Sequence, residues 1–221
     1  MDLIKHLEFF NPIALEHPIH IIGCGAIGSN LAEQLTRLGC TQIHLYDFDI
    51  VDEYNIANQS FVYQDIGQPK TNCVGRMMRS INPEVVYVTH DKGYTDEPLS
   101  GYVFLCVDNI ELRRAIVEAN MYNPYILAMF DFRMRLSDAQ HYAADWTNEK
   151  QRNRLLASMQ FSEAEAKEGT PVSACGTTLS VLSTVRMITA MGISNFINFV
   201  KKEPIRPMLL VDAFAFNILS V

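Results

Sequence analysis

Four short groups stand in order along the first third of the chain: Gly23-Cys24-Gly25-Ala26-Ile27-Gly28, Asp47-Phe48-Asp49, Asn55-Ile56-Ala57-Asn58-Gln59 and Gly67-Gln68-Pro69-Lys70. The first is a G-x-G-x-x-G turn, which brings backbone N–H groups and a helix N-terminus to phosphate oxygens, with no side chain in the way. Asp47 comes 19 residues after Gly28, where an acid at a strand end accepts from ribose hydroxyls. Those two features alone fit a nicotinamide cofactor equally well. No G-x-x-x-x-G-K-[S/T] occurs, so the turn is not a P-loop.

The amides and the lysine turn the chemistry away from hydride transfer. A carboxylate attacking the α-phosphorus of ATP is already ionised and needs no general base. It needs charge neutralisation: a lysine on the phosphates, amide donors, and a carboxylate for Mg²⁺. Lys70, at the start of an expected helix, adds its charge where the helix dipole is already positive. A solvated surface lysine is the bland alternative. Asp108 ends the apolar run Tyr102–Val107, so it faces the crevice at the carboxyl end of a central strand, and Asn109 caps the next helix. Arg113, one turn into that helix, reaches the same crevice, while Arg114 faces solvent.

The elements that must position these residues alternate. Strands are expected at 18–22, 42–46, 85–89, 102–107 and 126–130. Helices are expected at 28–38, 70–81 and 110–120, with Gly39 and Pro69 as punctuation. This pattern predicts an α/β, Rossmann-like, doubly wound and mainly parallel sheet. Beyond Phe132 an antiparallel strand at 141–144 and a short helix at 148–159 precede a polar, exposed segment at 161–171. A long helix over about 177–201 and closing strands at 208–211 and 214–216 complete the chain. The polar loop 49–69 is long enough to be functional. The whole of 1–221 reads as one domain, with a crossover-like segment at about 160–175.

Composition sets the outer bounds. The chain has 48% hydrophobic residues and a formal net charge of −7, which suits a sizeable core and leaves no basic surplus for nucleic acid. The five cysteines form no C-x-x-C pair, so no zinc site or disulfide framework is expected, and their odd number suits a reducing cytoplasm. No signal peptide is evident at the N-terminus, and the apolar stretch 179–200 is broken by Arg186 and Asn195, so no membrane span is expected. Cys175 is expected just before the long helix, where the dipole lowers a thiol's pKa, and two readings stand: nucleophile or small buried residue. Cys24 and Cys106 read as packing residues.

As an ordered set these motifs resemble the ThiF/MoeB/HesA adenylyltransferases, related to ubiquitin-activating enzymes. The family pattern G-x-G-x-x-G, D-x-D-x-V, N-x-x-R-Q, G-x-P-K and D-N before a helical arginine is met by Gly23–Gly28, Asp47–Val51, Asn55–Gln59, Gly67–Lys70 and Asp108-Asn109 with Arg113. The resemblance implies ATP and Mg²⁺ as cofactors. Gly23, Gly25, Gly28, Asp47, Asp49, Asn55, Asn58, Gln59, Lys70 and Arg113 would then form the nucleotide site, with Lys70 and Asp108 catalytic, Asp108 on the metal, and Cys175 an acyl acceptor in the manner of compact activating enzymes. It implies adenylation of a carboxylate, namely the C-terminus of a small ubiquitin-like or sulfur-carrier-like protein, by a homodimer or paired subunit. Two departures stand out. Asn58 replaces the arginine of N-x-x-R-Q, and no arginine precedes Arg37. They leave open a catalytically silent partner subunit; a nicotinamide-dependent oxidoreductase and a small-molecule or RNA carboxylate or carbonyl as substrate are further alternatives.

Overall fold

The computed structural model describes residues 1–12, 15–168, 171–172 and 179–221. Ile19–Ile22 (β1) is a β-branched run buried along its length, and it enters the sheet centre. Ala26–Arg37 (α1), Gln42–Tyr46 (β2), Lys70–Ile81 (α2), Val86–His90 (β3), Gly101–Leu105 (β4) and Ile110–Ala119 (α3) follow. Ile126–Met134 (β5), Asp138–Asp145 (β6), Glu149–Ala157 (α4), Glu163–Glu168 (α5), Leu182–Val200 (α6), Met208–Asp212 (β7) and Asn217–Ser220 (β8) complete the order.

The eight strands form one sheet in the order β3-β2-β1-β4-β5-β6-β7-β8. Pairings from β3 through β5 are parallel, and those from β5 to β8 antiparallel. The fold is therefore the α/β, Rossmann-like, mainly parallel sheet with antiparallel C-terminal strands that the sequence pattern implies. Strand alternation divides the core. Ile21, Phe104 and Phe130 pack with Leu31, Leu35, Val74, Met78, Ile188 and Phe196 of α1, α2 and α6. Ile22, Val103 and Met129 face the other way, onto Ile116, Val117, Trp146 and Leu155.

No helix lies between β3 and β4, so the second face of β2 and β3 is covered differently. His20, His44, Tyr46 and His90 fill it as a stack, with ring centroids 4.6 Å apart for His20 and His44 and 4.0 Å for Tyr46 and His90. Parallel register puts His20 beside His44 and Tyr46 beside His90, which is why the rings meet.

Several boundaries differ from expectation, and three of them have a local cause. Residues 214–216 form the turn between β7 and β8 rather than a strand. The Asp212 carboxylate accepts from the Phe214 and Ala215 amides at 3.1 and 2.9 Å, and Phe216 takes φ +57°. The polar segment after Phe161 contains α5, started by a reciprocal cap. Ser162 N–H donates to Glu165 Oε2 at 2.7 Å, and Glu165 N–H returns to Ser162 Oγ at 3.2 Å. The long helix starts at Leu182, because the Leu179 amide is spent on the Pro171 carbonyl at 3.0 Å and Val181 is extended. Among the described residues no helix is long and apolar enough to cross a membrane.

Candidate functional site

β1 lies between β2 and β4, so the chain leaves neighbouring strands on opposite sides at their carboxyl ends, where open α/β sheets bind ligands. The glycine turn leaves β1 there. Gly23 has φ +98°, and its amide donates to the Tyr46 carbonyl at 2.8 Å, closing the turn onto β2. A Cβ on Gly28 would lie 1.8 Å from the Gly23 carbonyl oxygen, so this glycine lets α1 press against the turn. A Cβ on Gly25 would meet nothing within 4 Å: the turn has a free face. The two glycines therefore separate experimentally. Gly28→Ala is expected to cost about 2 kcal/mol or more of unfolding free energy through overpacking. Gly25→Ala should stay within about 1 kcal/mol of wild type, while narrowing the space over the turn. Denaturant midpoints of the two variants check this.

Asp47 clamps the turn. Its carboxylate accepts from the Cys24 amide at 2.6 Å and from the Asp49 amide at 2.8 Å. Burial pushes this carboxyl above its usual range, opposed by those two amides and by the nearby Lys70 charge. Each oxygen keeps acceptor capacity for a further donor such as a hydroxyl.

The D-x-D-x-V and G-x-P-K groups form one unit. Val51 N–H donates to the Gln68 carbonyl and Gly67 N–H to the Val51 carbonyl, each at 2.8 Å, and Ile50 bridges Pro69. That pairing delivers Lys70, the first residue of α2 and only 7% exposed, to Asp49, with Nζ 2.7 Å from Oδ2. The Asp49 carboxylate, itself half exposed, is the partner of this buried ammonium.

Asp108 is exposed at the exit of β4 and has no hydrogen-bond or ion-pair partner among the described residues. Asn109 caps α3, its Oδ1 accepting from the Leu112 amide at 2.8 Å. The carboxylate beside it is thus left exposed.

Other candidate residues are turned to structural work. Asn55 is buried, and its Oδ1 accepts from the Asp52 amide at 2.8 Å, capping a short 3₁₀ turn. Asn58 donates to the Ser180 carbonyl at 3.4 Å, and its own carbonyl accepts from Asn30 Nδ2 at 3.2 Å, tying the loop to α1 and the approach to α6. Gln59 Oε1 is buried without a partner among the described residues. Arg113 does not line the crevice. It is 5% exposed and turned inward, donating to the Leu105 and Val107 carbonyls and to Asp131. The Leu105 and Val107 carbonyls and the Asp131 carboxylate supply the acceptors that draw it inward. Arg114, expected in solvent, instead donates to the Met159 and Phe161 carbonyls at 2.7 and 2.6 Å.

Cys175 lies outside the described residues. Burial pushes the Cys24 and Cys106 thiols well up, as suits packing residues. Among the described residues no group of three or more His, Cys, Asp or Glu side chains is placed to hold a metal. Sequence reading missed Asp131 and Arg133, which alternate within the apolar strand Ile126–Met134. Two charges inside a buried strand are the signal that would have found them.

The ThiF family pattern matches residues 14–217. The chain belongs to the ThiF family. Among its relatives, ubiquitin-like modifier-activating enzyme 5 of Drosophila mojavensis is 33% identical over 134 residues, covering 52% of this chain and 33% of that protein. The enzyme of the same name from Dictyostelium discoideum is 34% identical over 118 residues, covering 45% and 31%. The chain thus spans about a third of the length of the curated relatives it matches. The crystal structure of E. coli MccB with ATP superposes with a TM-score of 0.70 at 18% identity, covering 95% of this chain and 65% of that one. PaaA superposes with a TM-score of 0.72 at 13% identity, with the same coverage. At such identities the likeness is one of fold.

Proposed function

We propose that this ThiF-family chain activates a carboxylate by adenylation with ATP, the acyl substrate being the C-terminus of a small ubiquitin-like or sulfur-carrier-like protein. The observation that carries the reading is the pairing of the Asp49 and Lys70 motifs into one unit beside a glycine turn with a free face. The family match and the names of the relatives support it. A carboxylate oxygen of the substrate attacks the α-phosphorus, the bond from that phosphorus to the bridging oxygen breaks, and pyrophosphate leaves. Lys70 neutralises phosphate charge as it builds on the leaving group, Asp47 accepts from ribose hydroxyls, and the backbone of Gly23–Gly28 cradles the phosphates.

The donor set fits Mg²⁺ when it arrives with nucleotide. One free carboxylate, Asp108, with phosphate oxygens and water is the oxygen-rich shell that this ion takes, and when bound it supplies charge neutralisation. ATP–pyrophosphate exchange, assayed with a candidate carrier protein, tests the reading. Exchange that depends on the carrier's terminal carboxylate supports it. A thermal shift with NAD and none with ATP·Mg²⁺ refutes it.

A second reading has one observation in its favour. Asn58, at the position of the family's arginine, is engaged with Ser180 and Asn30, which removes a phosphate donor. On that reading the chain is a silent subunit that binds nucleotide and scaffolds an active partner. Exchange by the chain alone excludes it.

Onward transfer to Cys175, in a homodimer or paired subunit, is the finer part of the proposal. Cys175→Ser is expected to leave pyrophosphate exchange within about twofold and to abolish a carrier adduct that persists on non-reducing gels and vanishes with thiol. An undiminished adduct in the variant refutes the acceptor role.

A further inference from the structure

Asp131 sits in the middle of β5 and is wholly buried, yet it is flanked by two arginines. On one side Arg113 Nη1 donates to its Oδ1. On the other, Arg133 Nε donates to its Oδ2 at 2.6 Å. The two guanidiniums thus supply both carboxylate oxygens with a donor. His141, whose ring lies against the Asp131 carbonyl, is held neutral by burial and adds no charge to the group. The cluster therefore carries two cations for one anion beneath the strand ends.

The other bonds of the two arginines give the cluster direction. Arg113 Nη1 also reaches the Leu105 carbonyl at 3.1 Å, and Nη2 reaches the Val107 carbonyl. Those carbonyls belong to the last residue of β4 and to the residue just before Asp108. Arg133 extends the opposite way, with Nη1 2.7 Å from the Ser158 carbonyl and Nη2 2.9 Å from Ser158 Oγ, at the end of α4. Its guanidinium lies over the rings of Tyr142 and Phe161, 4.5 and 5.7 Å from their centroids.

We propose that Asp131 is a positioning residue: by holding Arg113 against the Leu105 and Val107 carbonyls, it fixes the exit of β4 and so aims Asp108 into the crevice. The inference rests on the adenylation reading for what Asp108 does there, but not for the mechanical part. Without the carboxylate, Arg113 has no anion to set its rotamer. The segment Cys106–Asn109, beyond the end of β4, keeps the bond from the Cys106 amide to the Ile22 carbonyl but loses the arginine bond that holds the Val107 carbonyl.

The test uses Asp131→Asn in the whole chain, with two readouts. Hydrogen exchange of the Cys106–Asn109 amides is expected to accelerate about tenfold or more, with β2 unchanged. The affinity for ATP measured by calorimetry should lose about tenfold with Mg²⁺ present and stay within about twofold without it, because only the metal-dependent part passes through Asp108. A residue that merely stabilised the fold would lower the melting temperature and move both affinities together. Unchanged exchange at Cys106–Asn109 overturns the inference whether or not nucleotide binds. Wild-type chain that binds no ATP·Mg²⁺ refutes the adenylation reading instead. If Asp131→Asn does not fold, Asp131→Asn with Arg133→Gln keeps the net buried charge of the wild type, and the same two measurements on it support or overturn the inference in the same way.

Discussion

Lys70→Ala is expected to lower ATP–pyrophosphate exchange by about 10²–10³, the loss typical of removing one positioned donor from a charge-stabilising site. The side chain is buried at the first position of α2, so its charge and the helix dipole act together through a screened-out environment. Stability should hardly move. Asp49, left without its partner, has a side chain 50% exposed and returns to water, so the loss is expected to stay at about 1 kcal/mol. Rate and stability thus separate. Asp108→Asn should give a comparable loss of exchange that higher Mg²⁺ partly restores, because that residue is proposed to act through the ion. Lys92→Ala is the control, since Lys92 is an exposed lysine beyond β3 and should leave exchange within about twofold. Equal losses in Lys70→Ala and Lys92→Ala would mean that the site works by general surface charge, and the assigned role of Lys70 would be wrong.

The sheet is legible in the sequence because its strands are short apolar runs punctuated by glycine, and because each helix carries an apolar stripe of the right period. The motif order is legible as chemistry. That the second and third groups are paired by backbone bonds, with Lys70 on Asp49, is not, because antiparallel pairing of Val51 with Gln68 has no local signature. Arg113 misleads for a related reason. Its position on α3 follows from the sequence, but its direction depends on Asp131, which belongs to a different strand. The turn at 214–216 is hidden by two phenylalanines whose β-propensity outweighs the Asp212 signal, although both rings end exposed. The cap Ser162–Glu165 is readable as S-x-x-E, yet the polarity of the residues around it points to loop.

Acidification from neutral to about pH 4.5 is expected to remove about 5 kcal/mol of stability, comparable to the whole margin of a small domain. The sign follows from burial. His20 is pushed from 6.5 down to about 3, chiefly by desolvation and then by His44 and His90. His141 is pushed from 6.5 to about 4 by burial, against the pull of Asp131. In the unfolded chain both protonate near 6.5, so the folded state binds fewer protons below that value. Stability is full above pH 6.5 and falls as pH drops toward the folded values, with a slope near two protons through the upper part of that window.

Geometry gives the same direction. His141 Nε2 lies 3.2 Å from Asn195 Nδ2 and Nδ1 lies 3.2 Å from the Asp131 carbonyl, so a second ring proton would face a donor. Asn195 cannot turn over to receive it, because its Oδ1 already accepts from the Arg206 amide at 2.8 Å. His20 Nε2 is buried with no partner among the described residues, and its Nδ1 is 2.9 Å from the Tyr46 hydroxyl. Asp47, with its raised carboxyl, works in the opposite sense and offsets a part of the loss. Denaturant unfolding at a series of pH values measures the slope, and His20→Phe should reduce it by one proton whatever that change does to absolute stability. A slope near zero between pH 6.5 and 4.5, or one indifferent to His20→Phe, would show that these rings protonate in place and that water reaches them.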